Sequence, residues 1–204
     1  NQWIENNPEV GENQYYLRLG LNYSLKSFDS SFLPHNGVSY NLFVNFNKHL
    51  SSDPRDHIKL GGNIRFIQPF GKYEKVVYAT KIGFERIIGD GFFYHQINLG
   101  GENGLRGFRR NRFTGDMGFY HSQNLHYYIS KKTRDNNRFH SWGVSAYFDY
   151  GRVWSDQDVE NRLLSSIGAG LFYCPFDVVV ISGGYFVSDD ESQWRIGLGW
   201  LLGD

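Results

Sequence analysis

Residues 15–26, YYLRLGLNYSLK, place Tyr15, Leu17, Leu19, Leu21, Tyr23 and Leu25 at odd positions and Tyr16, Arg18, Gly20, Asn22, Ser24 and Lys26 at even ones. A period of two belongs to an extended strand, whose successive side chains point to opposite faces. Residues 37–50 repeat it: Val38, Tyr40, Leu42, Val44 and Phe46 oppose Ser39, Asn41, Asn45, Asn47 and His49, and only Phe43 breaks the rule. Further segments of this kind follow at about 57–70, 76–88, 117–130, 141–154, 163–175, 178–188 and 194–202, so the sequence predicts nine strands. Several exceed the usual 5–6 residues of a globular strand and match the roughly 9–11 that cross a bilayer at a tilt.

The chemistry of the two faces then decides between architectures. The polar face contains many glycines, among them Gly20, Gly61, Gly83, Gly143, Gly168 and Gly170, whereas the bulk, including Trp142, Phe148, Tyr150, Trp194 and Trp200, lies on the apolar face. A soluble sandwich fills its inner face with large apolar residues. Here the sheet reads inside out, as in an antiparallel transmembrane β-barrel whose lipid face is apolar and whose lumen is polar. With 18% aromatic residues, 24 Gly, one Met and one Cys, the composition is rich in strand and turn formers. No stretch approaches the roughly 20 apolar residues of a spanning helix, and Asn1 opens a polar segment of 14 residues rather than a signal peptide. The mean hydropathy of −0.49 is uninformative, because a barrel hides its apolar face on every second residue. Short connectors (FDSSFLPHN, PFGKYE, KKTRDNNRFH, CPFD) alternate with SSDPRD, the 89–116 stretch, SDQDVENR and SDDESQ. By the loop-length asymmetry of such barrels, the second set faces outward from the cell.

Residues 89–116 do not alternate. At about 28 residues this loop exceeds the roughly 12–15 beyond which structureless loops are uncommon. The aromatics of GDGFFY, with Phe108 and Phe113, are costly to leave in water, so the loop is expected to fold against the lumen face. Arg106 is its natural anchor and Asp149, inward between outward Phe148 and Tyr150, the best carboxylate for it. Charge alone leaves open the alternative that Arg106 is one of four solvated loop arginines and that Asp149 faces lumen water.

LGGENGLRGF, after a strand and an aromatic GDG loop, resembles the sixth extracellular loop of the BamA-type outer-membrane protein assembly family, the bacterial surface antigen barrels. SSFLPHNG is similar to that family's Phe-Pro-x-x-Gly turn, YFDYGRVW to its aromatic-Asp-x-Gly-x-Val-Trp strand, and SSIGAGLFYCPFDVVVISGGYF to its Gly-x-Gly strand, turn and penultimate strand. QWRIGLGW resembles its closing strand, with Trp194, Ile196, Gly197, Leu198 and Trp200. The resemblance covers about residues 15–202 and implies the last nine strands of a sixteen-stranded barrel. It also implies that Arg106, Gly107 and Phe108 form a loop tip inserted into the lumen, that Asp149 holds Arg106, and that Gly100 and Gly101 shape the loop. Two departures stand out: only 14 residues precede the first strand, so the family's periplasmic docking domains are not expected in this chain, and the tail LLGD runs past Trp200.

Other readings are weaker. Ser122 and His126 share an inward face and raise the case of a lipid-modifying enzyme, but four residues along a strand separate them by roughly 13 Å. His121 and His126 point to opposite faces, the other histidines are scattered at turns and loops, and Cys174 is alone, so no metal site is expected. GGENGLRG lacks the Lys-Ser/Thr of a phosphate loop, and NYS at 22–24 lies inside a strand. Net charge is zero, which argues against nucleic acid; the basic RGFRRNR reads as solvated, with a lipopolysaccharide or phosphate contact as its alternative.

The expectation is therefore an amino-terminal extension at 1–14 and, over 15–204, an all-β outer-membrane barrel with the 89–116 loop inserted. Eight to ten strands closing alone leave an interior just filled by side chains, so the loop fits only over small inward residues or within a larger barrel. No cofactor is expected. The partners expected are membrane lipid, outer-membrane protein clients, accessory assembly subunits or a second copy of the chain, and a structural or pore-forming barrel is the alternative.

Overall fold

The computed structural model describes residues 15–30, 33–50, 55–91, 93–131, 140–155, 162–176 and 179–199. The strands are β1 (Tyr16–Phe28), β2 (Gly37–His49), β3 (His57–Phe70), β4 (Val76–Gly89), β5 (Ile97–Leu99), β6 (Phe113–Gly115), β7 (Met117–Ser130), β8 (His140–Trp154), β9 (Leu164–Pro175), β10 (Val180–Ser188) and β11 (Ser192–Gly199). Nine of them form one antiparallel meander in the order β1-β2-β3-β4-β7-β8-β9-β10-β11. The nine predicted strands correspond to these nine, with boundaries differing by a few residues. β5 and β6 pair separately inside the long loop. Residues 1–14, Trp200 and the tail to Asp204 lie outside the described residues.

Among the described residues β1 and β11 do not pair, so the sheet is an open, partial barrel. The small closed barrel that the sequence left open is not the arrangement adopted. Register is regular except at Tyr128/Ser130 in the β7–β8 pair. A one-residue slip would exchange the two faces, so a predominantly alternating pattern over 13 or 14 residues in β1 to β4 pins the pairing strongly.

Leu17 is 62% exposed, Leu42 55% and Val144 39%, as expected for an outer face that no described residue covers. Phe43, the one large apolar side chain out of pattern in β2, turns inward, where its ring lies beside Gly61 of β3. The glycine leaves the room that the ring occupies.

The inner face is less polar than the alternation implied. At the end of the sheet carrying the short connectors, Ile67, Val77, Ala79, Tyr128, Phe172, Cys174 and Val180 all face inward and pack with Leu33 and Phe28. Leu33 comes from the connector between β1 and β2, which folds back under the sheet. Its entry is set by Asp29, whose Oδ1 accepts from the backbone N–H groups of His35 (2.9 Å) and Asn36 (3.1 Å). A second inner cluster at the other end joins Leu99, Leu105, Phe108 and Phe113 of the loop to Val153 and Leu164 of the wall, with Tyr120 against it. A sheet with no second layer buries apolar area by folding its own connectors onto its concave side. These clusters are that burial.

Candidate functional site: the inserted loop and its anchors

The loop between β4 and β7 leaves through one turn of 3-10 helix at Phe93–His95, pairs β5 with β6, and drives residues 100–112 onto the inner face. Gly100 (φ 117°) and Gly101 (φ 73°) make the entry bend in a backbone region open mainly to glycine. The bend is closed by Gly101 N–H donating to Leu105 O at 2.9 Å and by Gly100 O accepting from Asn111 N–H at 3.4 Å.

Arg106 reaches Asp149 three times. Its Nε donates to Oδ2 at 2.9 Å, its Nη2 to Oδ1 at 2.5 Å, and its backbone N–H to Oδ2 at 2.9 Å. The guanidinium also lies 4.5 Å from the Tyr147 ring centroid and 5.5 Å from that of Phe186. Fork pairing and aromatic stacking both require a planar cation, which is why arginine and not lysine suits this place. The Asp149 side chain is 1% exposed and that of Arg106 18%. A carboxylate so buried needs its counter-charge, and Arg106 supplies it, with Ser166 Oγ a further donor to Oδ2 at 3.5 Å. Gly107 follows, its N–H donating to Ser166 Oγ at 3.2 Å; a Cβ there would run into the Ser166 side chain. Phe108 is 1% exposed and meets Phe113 edge-on at 5.0 Å.

The tip is also tied to the final hairpin. Glu191, between β10 and β11, accepts from Arg109 N and Nε at 3.1 Å each and from Arg112 Nη1 at 3.1 Å. Asp190 pairs with Arg112 at 3.5 Å and with Arg162. Ser188 Oγ donates to Gly107 O at 3.4 Å. Arg195 of β11 donates from Nε to Arg106 O at 2.7 Å and from Nη2 to Phe108 O at 2.8 Å. Ser166, Tyr147, Glu191 and Arg195 were not singled out in the sequence. Arg195 was the most findable, being the one charge on an otherwise uncharged closing strand and at an inward position.

Trp194, Ile196 and Leu198 lie outward on β11, 78–89% exposed, while Gly197 faces inward beside Ser182. Of the loop aromatics, Phe108 and Phe113 are buried, but Phe93 and Tyr94 remain 54% and 46% exposed, contrary to the expectation that the whole group would fold inward. Ser122 donates to Gly104 O at 3.1 Å, and His126 Nδ1 lies 2.6 Å from Ser145 Oγ, so each has its own structural partner.

The histidines are not scattered as expected. His49, His57 and His95 meet Tyr16 and Tyr94 at the long-loop rim, with ring centroids 4.3 Å apart for His57–His95 and 4.9 Å for Tyr16–His95. Among the described residues no group of three or more His, Cys, Asp or Glu is placed to hold a metal ion. Burial, with His57, Arg18, Lys59 and His49 nearby, pushes the His95 imidazole down to about 4.

An Omp85 superfamily domain profile matches residues 4–201. The chain belongs to the Omp85 superfamily. This superfamily chain is also similar in fold to BamA from Haemophilus ducreyi lacking POTRA domains 1-3, with TM-score 0.69 and 16% identity over 89% of this chain. It spans 41% of the length of that BamA chain. No curated protein matches it.

Proposed function

We propose that this Omp85 superfamily chain is the barrel portion of a bacterial outer-membrane factor that inserts or translocates outer-membrane proteins. The loop pinned inside the barrel by Arg106, Gly107, Phe108 and Asp149 is its working element. The observation that carries the reading is the three-bond seat of Arg106 on Asp149, on the concave side of a sheet whose convex side is apolar. A loop held by a buried charge pair has one well-defined seated state, and a barrel that remodels a membrane needs such a reference state. Superfamily membership and the BamA-like fold support the same reading. The work is non-covalent: strand pairing and local perturbation of lipid, with unfolded outer-membrane proteins as clients and with accessory subunits or a second copy as further partners. The long-loop end then faces the cell exterior, and no cofactor enters.

A pore-forming barrel is the competing reading, and the two apolar inner clusters stand against it because they occupy the concave side at both ends. In proteoliposomes containing the full-length protein, a client barrel should fold faster than in empty vesicles, and Arg106→Ala should abolish most of that gain. A large steady ion conductance in planar bilayers that survives Arg106→Ala, with no acceleration of client folding, would sink the assembly reading.

A further inference from the structure

We infer that Arg195 couples the seating of the loop to the ordering of the last strand, so that the two form one cooperative unit. Its guanidinium spans the carbonyls of Arg106 and Phe108, one on each side of Gly107, at 2.7 and 2.8 Å. Those two oxygens take this spacing in the seated conformation, with Arg106 on Asp149 and Gly107 against Ser166. Arg195 thus binds a backbone shape, not a charge. An arginine fork can hold two carbonyls at once, whereas a lysine ammonium offers a single compact point.

The other side of the linkage is β11 itself. It pairs with β10 along one edge, and among the described residues its second edge has no strand. Its outward side chains, Trp194, Ile196 and Leu198, touch little of the protein. Its hold on the rest of the molecule is therefore the β10 ladder plus inward contacts, among them the two short hydrogen bonds of Arg195. Glu191, in the turn of the same hairpin, grips Arg109 and Arg112 of the loop. Removing the loop strips the hairpin of these anchors; loosening the hairpin strips the loop of its clamp. Linkage of this kind is reciprocal.

The test is amide hydrogen exchange on the full-length protein in lipid, which reads loop and strand separately and needs no client. It therefore stands or falls independently of the insertion activity. Arg195→Ala should raise exchange across residues 105–112 by about tenfold, and Arg106→Ala should raise exchange across Ser192–Gly199 by a similar factor, within the usual range of such couplings. Arg195→Lys keeps the charge but not the fork, so it should loosen the loop nearly as much. The inference is overturned if Arg195→Ala loosens β11 while leaving 105–112 at the wild-type rate, or if Arg195→Lys matches wild type in both segments. Should Arg195→Ala fail to fold, the lysine variant decides.

Discussion

At the scale of single residues, the Arg106–Asp149 pair dominates. Arg106→Ala leaves a carboxylate with 1% side-chain exposure without its counter-charge, a loss of about 3–5 kcal/mol for buried pairs. It should appear as a lower midpoint in urea unfolding from lipid vesicles. Asp149→Asn should destabilise in the same direction, because the fork then meets a neutral amide. Phe108→Ala empties a fully buried site between Leu105 and Phe113, and about 3–5 kcal/mol is expected by the same unfolding measurement. Arg106 and Asp149 were readable as residues because each was an inward or aromatic-flanked charge that demanded a partner. The third bond, from the Arg106 backbone, was not readable: it depends on the turn made by Gly100 and Gly101, and no pattern of side chains encodes where a backbone N–H ends up.

At the scale of elements, the strands were legible because one face had to be apolar, and a period of two over a dozen residues has no other reading. The lipid face makes this testable. Leu42→Lys, outward on β2, should cost about 2–4 kcal/mol if it lies near the midplane, while Asn41→Lys, its inward neighbour, should be nearly neutral. Comparing the two unfolding midpoints checks the orientation directly. The inner clusters escaped the sequence for a physical reason: Ile67, Val77 and Phe172 sit at inward positions near strand ends, where the alternation is shortest and the partner, Leu33, comes from a connector. The rim histidines escaped because they are brought together by a loop folding over strands distant in sequence. That rim gives a pH prediction. His95, with its imidazole lowered from 6.5 to about 4, stays neutral when docked but takes up a proton more readily when undocked. Between those values the undocked state binds more protons, so docking weakens as pH falls from about 6.5 towards 4. Amide exchange across 93–96 should quicken over that window, and His95→Gln should flatten the response.

At the scale of the whole molecule, an open sheet in lipid poses a problem that the described residues do not solve. Thirteen residues of β1 present an edge whose hydrogen-bonding groups cannot remain unpaired in hydrocarbon, where each would cost several kcal/mol. Closing the sheet requires a partner for that edge beyond the described residues. In intact membranes, β1 amides should therefore exchange as slowly as those of β3, which has a neighbour on both sides. The mass of the detergent-extracted particle then separates one chain from two.

The charged and polar anchors that hold the tip to the wall and the final hairpin all follow it in the chain. Its anchors on Asp149, Ser166, Glu191 and Arg195 lie 43, 59, 82 and 89 residues further along the chain. A polypeptide delivered from its amino terminus cannot complete this seat until its final hairpin has arrived, so the seated loop serves as a certificate that maturation has finished.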